Sequence, residues 1–171
     1  MIHHVMSGGQ SGVDRAALDA AMAAGLHVGG WCPAGRRAED GAIPAQYPLR
    51  ETPSTAYRVR TRLNVRDAEA TLIVAPLPLV GGTAYTARVA QRLNVPVFHL
   101  AINAASNPRL LNLAPVRAWL TERQVSVLNV AGPRESTVPG IYAVARVVLA
   151  RLFEEQHVGP SPAAFHTRGG V

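Results

Sequence analysis

The sequence predicts an α/β protein with a mainly parallel sheet of five or more strands and helices on both faces. Three observations lead to this fold class. Short apolar runs typical of strands alternate along the chain with longer segments of helical spacing. Residues 70–75 form a near-continuous apolar run, as in a strand that is buried on both faces. Polar loops containing glycine follow three of the predicted strands, and each leads into a helix.

The alternation predicts five strands and five helices along one domain. The strands are expected at residues 2–6, 26–31, 70–75, 97–100 and 125–130. The helices are expected at residues 13–24, 54–66, from about 83 to 93, 114–123 and from 140 to about 156. A chain of 171 residues has the usual length of one domain, which we place at residues 1–157. Residues 158–171 are rich in Gly, Pro and Ala without periodicity, which predicts a flexible tail.

The basic side chains are all arginines, because the sequence contains no lysine, and they give a net charge of +6. A lysine Schiff base and a P-loop lysine are therefore excluded. The planar arginine forks suit phosphate, molybdate or carboxylate. The arginines are spread along the chain and aromatic residues make up only 5% of it, which argues against nucleic acid as the partner.

Cys32 is the only cysteine, so no internal disulfide can form, and the reducing cytoplasm is the expected location. No signal-peptide pattern precedes the first strand and no apolar run is long enough to cross a bilayer, so no membrane association is expected. Cys32 precedes Pro33 without a histidine partner at suggestive spacing, which favours a buried thiol over a catalytic one. None of the six histidines shows metal-ligand spacing, so no protein metal site is predicted.

The first glycine loop lies between the first strand and the first helix, the layout of a phosphate-binding βα turn. Its glycines let the backbone approach a ligand, and the helix start provides free N–H groups that favour an anion. Its spacing matches neither the dinucleotide fingerprint nor a P-loop, and a tight turn without a ligand is the alternative. The candidate ligand-binding residues are Ser7, Gly8, Gly9, Gln10, Ser11 and Gly12. Asp14, in the first helical turn, either interacts favourably with the helix dipole or orients Arg15 or the ligand, and both residues are candidates for supporting the residues that touch the ligand.

Two further loops of this kind follow the third and fifth strands. The second supplies Gly81, Gly82 and Thr83 at a helix start. The third supplies an arginine, an acid and a hydroxyl beside two rigid or small residues: Gly132, Pro133, Arg134, Glu135 and Ser136. Right-handed crossovers place such loops at one edge of a parallel sheet, where ligands bind. We therefore expect at least two of the three loops to converge on one ligand.

The polar segment at residues 32–53 is longer than a simple connection between two elements needs to be, so it is expected to contribute to the site. Arg36 is its candidate oxyanion ligand, and Asp40 is a candidate acid that can also simply pair with an arginine. Trp31, just before the segment, either stacks on a flat ligand or fills the core.

The predicted second helix carries Arg58, Arg62 and Arg66 on one face, with Arg60 off that face. The stripe is either a solvated basic surface or a set from which some members reach the cleft together with Asn64. Arg60 and Asn64 are candidates for supporting the residues that touch the ligand.

Five segments together resemble one protein family over nearly the whole chain to about residue 156. They are SGGQSGVDRAALDAA from Ser7, GWCPAGRRAEDGAIPAQYPLRET from Gly30, RTRLNVRDAEATLIV from Arg60, GGTAYT from Gly81 and LNVAGPRES from Leu128. The chain resembles the molybdenum cofactor carrier proteins, a circularly permuted YpsA-type branch of the Rossmann-like lysine-decarboxylase-like (LOG) superfamily.

This resemblance implies a Rossmann-like three-layer fold and a binding or carrier function for an anionic, phosphate-bearing small molecule. The implied cargo is molybdenum cofactor (molybdopterin) or molybdate, and otherwise a nucleotide. The resemblance also implies a homo-oligomer, a dimer or tetramer, and a molybdoenzyme as client.

The alternatives are a nucleotide-binding sensor and a nucleoside-5′-monophosphate phosphoribohydrolase of the LOG type. The related hydrolases carry a glutamate after their glycine loop. Here Thr83 is followed by Ala84, Tyr85, Thr86 and Ala87, without an acid. Hydrolysis needs a carboxyl group placed at the glycosidic bond, so this departure favours binding over catalysis.

Overall fold

The computed structural model describes residues 1–154. The predicted tail at 158–171 and the last residues of the predicted fifth helix lie outside this range. The strands are β1 (His4–Met6), β2 (His27–Gly29), β3 (Trp31–Cys32), β4 (Arg37–Ala38), β5 (Gly41–Ala42), β6 (Arg50–Glu51), β7 (Ala70–Ala75), β8 (Val97–Ala101) and β9 (Val127–Ala131). The helices are α1 (Val13–Ala23), α2 (Tyr57–Arg66), α3 (Gly81–Arg92), α4 (Ala114–Glu122) and α5 (Ile141–Glu154), with a 3-10 turn at Ala34–Arg36.

Five parallel strands form the central sheet in the order β2-β1-β9-β7-β8, which confirms the predicted α/β class. All six residues of β7 are buried, as its apolar run predicts. The last strand in sequence, β9, lies in the middle: Leu128 pairs with Val5 of β1 and with Ala70 of β7.

Counting β9 first turns this order into 3-2-1-4-5, the order of a Rossmann-like sheet. The chain is thus a Rossmann-like fold whose first strand and helix, β9 and α5, stand at the end of the sequence. The direction of the strand order reverses between β9 and β7. Ligands of such sheets bind at this switch point, outside the carboxyl ends of the strands.

Helices cover both faces and give the predicted three layers. One face packs against α1, α4 and α5 in a single large apolar cluster. Four buried alanines of α1 allow the close contact with α5: Ala16, Ala17, Ala20 and Ala21. The other face carries α2 and α3, whose own contact is made by Val65, Val89 and Ala90.

Two predicted boundaries were wrong. The strand expected at 26–31 is divided into β2 and β3, because Gly30 adopts φ 127° between them. Helix α2 begins at Tyr57, not at Ser54. The Ser54 carbonyl accepts from the N–H of Ala34 and the hydroxyl of Thr52, and these bonds hold Ser54 in the preceding loop.

The long segment after β3 is ordered by one arginine. It contains the short strands β4, β5 and β6 and a small apolar cluster around Cys32 and Ile43. Arg36, predicted as an oxyanion ligand, donates instead to four backbone carbonyls, at 2.9–3.3 Å: those of Ile43, Pro44, Tyr47 and Leu49. Its guanidinium therefore closes the segment on itself.

We expect Arg36→Ala to lower the free energy of unfolding by about 2 kcal/mol or more, because four carbonyls lose a charged donor. Urea denaturation followed by circular dichroism measures the change. Arg37→Ala is the matched control, since Arg37 is the exposed neighbour. An equal loss of unfolding free energy in Arg36→Ala and Arg37→Ala would contradict the conclusion that Arg36 holds the segment together.

Candidate functional site

A cleft of about 500 Å³ lies at the switch point between β9 and β7. Its walls are the start of α2, the first turns of α3 and the loop that follows β9. Gln10 of the first glycine loop and Asp14 of α1 also line it. The second and third glycine loops therefore converge here, while the first contributes much less than its sequence suggests.

The side chains around the cleft are strongly biased toward positive charge. Arg58, Arg60, Arg88 and Arg134 line it, against one carboxylate, Asp14, among the lining residues that the structure describes. This bias creates a field that attracts anions, and it is strongest where the walls exclude water.

Asp14 and Arg60 form an ion pair at the bottom of the cleft. Arg60 Nη1 lies 3.1 Å from Asp14 Oδ2, and the two side chains are 14% and 4% exposed. Burial raises the pKa of Asp14 above its ordinary value, against the opposing effects of the Arg60 charge and the backbone N–H groups of Gln10 and Gly132. Arg60 Nε and Gln10 Nε2 are buried beside this pair without a hydrogen-bond partner.

Two tyrosines provide flat walls. The Arg134 guanidinium lies 5.4 Å from the ring centre of Tyr57, and that of Arg58 lies 5.6 Å from Tyr85. Both contacts have the geometry of cation–π pairs. The cleft thus combines planar aromatic surface with cationic edges.

Three residues that line the cleft were not predicted from the sequence: Tyr57, Tyr85 and Arg88. A helical-wheel signal for two of them was present, because Tyr85 and Arg88 lie four and seven residues after Gly81 and share its face of α3. The predicted face of Arg58, Arg62 and Arg66 divides: Arg58 lines the cleft, whereas Arg62 and Arg66 are exposed.

The first turn of α3 is open to the cleft. No atom lies within 4 Å of the position that a Cβ would take on Gly81 or Gly82. Thr83 lines the cleft beside them and is 7% exposed. The first N–H groups of a helix have no partner inside the helix and lie at its positive end. This turn therefore offers backbone donors to a ligand.

Most residues of the first glycine loop pack against other backbone and side-chain atoms of the protein. Ser7 is fully buried and its hydroxyl donates to the Val130 carbonyl at 2.8 Å. A Cβ on Gly9 would overlap Leu49, and one on Gly12 would overlap the backbone of the third loop. The loops interlock directly: the N–H of Glu135 donates to Ser11 Oγ at 3.2 Å.

The third loop divides between two surfaces. Gly132, Pro133 and Arg134 line the cleft. Glu135 instead accepts from the N–H groups of Gly140 and Tyr142, at 2.5 and 3.0 Å, at the start of α5. Glu135 and Ser136 border a separate, open depression, together with Ser11, Arg15 and Asp40.

The remaining predicted residues lie outside the cleft. Arg15 forms a two-pronged ion pair with Asp40. The buried amide of Asn64 holds the backbone of Trp31, with bonds of 2.7 and 3.0 Å. The Trp31 indole donates to Asp67 at 2.8 Å.

Fold and cleft together define a Rossmann-like protein with a cationic pocket at its switch point. The model of the circularly permutated YpsA SLOG family matches residues 5–153, and the chain belongs to this family. The permutation in the family's description is the displacement of β9 and α5 described above.

The chain is also similar to a solved structure of a "Putative molybdenum carrier protein" from Syntrophus aciditrophicus SB. The two share 39% sequence identity with a TM-score of 0.77, over 89% of this chain and 94% of that one. No match was found among the curated proteins.

No group of three or more His, Cys, Asp or Glu side chains in residues 1–154 is placed to hold a metal ion. No helix in the same range is long and apolar enough to cross a membrane. Cys32 is buried, and burial raises the pKa of its thiol.

Glu39 joins the segments that support the cleft. Its carboxylate accepts from the hydroxyls of Ser11 and Ser136 and from the Ser136 N–H at 3.1 Å. Partial burial raises the pKa of Glu39, but these hydrogen bonds and the Arg134 charge outweigh it and hold the pKa below its ordinary value.

This lowered pKa predicts an acid-sensitive contribution to stability. Because the folded state favours the ionised form, the contribution is present above the unfolded-state pKa and is lost as pH falls through the lowered folded-state pKa. The difference in unfolding free energy between the native protein and Glu39→Gln should therefore shrink on acidification. Urea titrations across this range measure it. Glu122→Gln, at a side chain that is 75% exposed, is the control, and an equal pH dependence there would refute the prediction.

Proposed function

We propose that this protein binds and carries an anionic, phosphate-bearing small molecule, of which molybdenum cofactor is the best fit. The single observation that carries the proposal is that four arginines and one carboxylate line the switch-point cleft. In the proposed complex the protein holds its cargo without transforming it.

The phosphate end of the ligand fits the start of α3. The unhindered turn at Gly81 and Gly82 offers backbone N–H groups, and Thr83 adds a hydroxyl. Arg134 reaches the same cleft from the opposite loop and can donate two parallel hydrogen bonds to an oxyanion.

The body of the ligand fits the tyrosine walls. Tyr57 and Tyr85 line the cleft, each with a guanidinium over its ring, and a flat heterocycle such as a pterin can stack with such cation–aromatic pairs. The volume of about 500 Å³ lies in the usual range for a small-molecule pocket.

The molybdenum part of the proposal draws on the solved neighbour, which is named as a molybdenum carrier protein. In molybdenum cofactor the metal is held by the dithiolene of the pterin itself. The protein then needs to recognise only the organic anion and the oxo groups, which arginine does well.

Storage is favoured over hydrolysis by the placement of acids. Asp14 is the one carboxylate that lines the cleft in the described residues, and it is buried and paired with Arg60. Glu135 and Asp40, the other candidates, are directed to α5 and to Arg15. None of the three is placed as a free acid or base in the open cleft.

The first test is to identify what the protein holds when purified from a host that makes molybdenum cofactor. Acid and oxidation convert the cofactor to a fluorescent pterin that chromatography quantifies. We expect pterin in near-equal amount to protein, and at least about ten-fold less with Arg134→Ala, because a charged donor to the anion is lost.

Arg123→Ala is the matched control for this variant. Arg123 also stacks on an aromatic ring and, like Arg134, has a side chain that is 40% exposed, but it caps the end of α4 and does not line the cleft. Equal pterin in the two variants would contradict the cleft assignment. A nucleotide in place of pterin would overturn the proposed cargo.

The second test addresses catalysis. Incubation of AMP with a high concentration of the protein should release no adenine above the buffer control, because the cleft lacks a free carboxyl group at the glycosidic bond. Chromatography of the free base measures it. Adenine release that scales with protein concentration and is lost in Asp14→Asn would establish hydrolase activity instead.

A further inference from the structure

Arg60 and Gly8 form a unit that gives the first glycine loop a role different from a phosphate cradle. We infer that Arg60, seated on Gly8 and oriented by Asp14, is the side chain that binds the anionic group of the ligand opposite the start of α3. The inference rests on the proposed anion site and assigns a binding residue within it.

Gly8 is required by Arg60. A Cβ at residue 8 would coincide with the guanidinium of Arg60, at its Nη1, Cζ and Nε atoms. The guanidinium therefore occupies the space beside Gly8 that a side chain at this position would fill. With Gly9 and Gly12 also packed against neighbouring segments, the loop has no open backbone at its glycines.

Asp14 fixes the direction of the guanidinium. Its carboxylate is 3% exposed as a residue and lies 3.1 Å from Arg60 Nη1. A buried carboxylate holds its partner firmly, because leaving either charge alone is costly. Only one part of the arginine fork is used in this way, and Arg60 Nε is left without a hydrogen-bond partner.

A second buried donor without a partner belongs to the same cleft. Gln10 is 5% exposed and lines the cleft, and its Nε2 has no hydrogen-bond partner in the described structure. Its Oε1 accepts from the N–H groups of Ser11 and Glu39, which orients the amide. Asp14 Oδ2, in ion-pair contact with Arg60, also has no hydrogen bond. Unpaired buried polar groups among the residues that line one cleft indicate that a ligand partner belongs there, and an acceptor would satisfy the two donors.

An oxyanion satisfies this arrangement. It would lie between the open turn of α3, with its backbone N–H groups, and the floor made by Arg60 and Gln10. Asp14 then acts as a positioning residue that does not touch the ligand.

Isothermal titration with AMP and with molybdate tests the assignment. We expect Arg60→Gln to weaken binding of either probe at least about ten-fold, because a positioned charged donor is removed. Arg62→Gln is the control, since Arg62 is exposed on the same helix and should leave affinity unchanged. Equal affinities of Arg60→Gln and the native protein overturn the assignment while the anion site stands. No binding of either probe by the native protein overturns the anion site and the assignment with it.

A double-mutant cycle distinguishes two roles of Gly8: making room for the Arg60 guanidinium, or binding the anion directly through its own backbone. Gly8→Ala displaces the guanidinium and should weaken binding in the native background, but it should have little further effect in Arg60→Gln. An equal loss in both backgrounds would mean that the Gly8 backbone itself binds the anion, which refutes the proposal. If Gly8→Ala fails to fold by circular dichroism, the comparison of Arg60→Gln with Arg62→Gln decides.

Discussion

The insertion of β9 between β1 and β7 is the pairing on which the rest of the structure depends. This strand comes from the end of the chain, yet it forms hydrogen bonds to the first strand on one side and to β7 on the other. It brings the loop at 131–137 against the first glycine loop and opposite the start of α3. The cleft exists because the parallel strand order reverses beside β9.

Glycine has three different uses in the loops at this edge. At Gly81 and Gly82 it leaves a helix start open to the cleft. At Gly12 it permits two loops to interlock, and at Gly8 it makes room for a guanidinium. These uses look alike in a sequence, because in each the side chain is simply absent. They differ physically in what lies in the vacated space: the open cleft, another backbone or a charged side chain.

The arginines divide in the same way. Arg36 donates hydrogen bonds to backbone carbonyls, and Arg15 pairs with a carboxylate of the chain. Both contacts order the long segment around the site. Four arginines line the cleft: Arg58, Arg60, Arg88 and Arg134. Asp14 pairs with Arg60, and Glu39 lies 3.7 Å from Arg134. A surplus of like charge in a partly buried cleft raises the energy of the empty site and favours an anion there. The same surplus on an open surface would have little effect, because salt screens it.

The sequence by itself determined the fold class, the five main strands and their helices, and the convergence of at least two of the three glycine loops, because apolar periodicity and parallel topology are local and general constraints. The tertiary structure alone decided which polar side chains face the cleft. Arg36 and Arg60 are both arginines in polar surroundings, and only packing shows that one binds carbonyls whereas the other lies on Gly8. Tyr57 and Tyr85 became walls because α2 and α3 pack side by side, a contact between residues distant in sequence. Side-chain direction depends on such long-range contacts, so it cannot be obtained from the pattern of the chain alone.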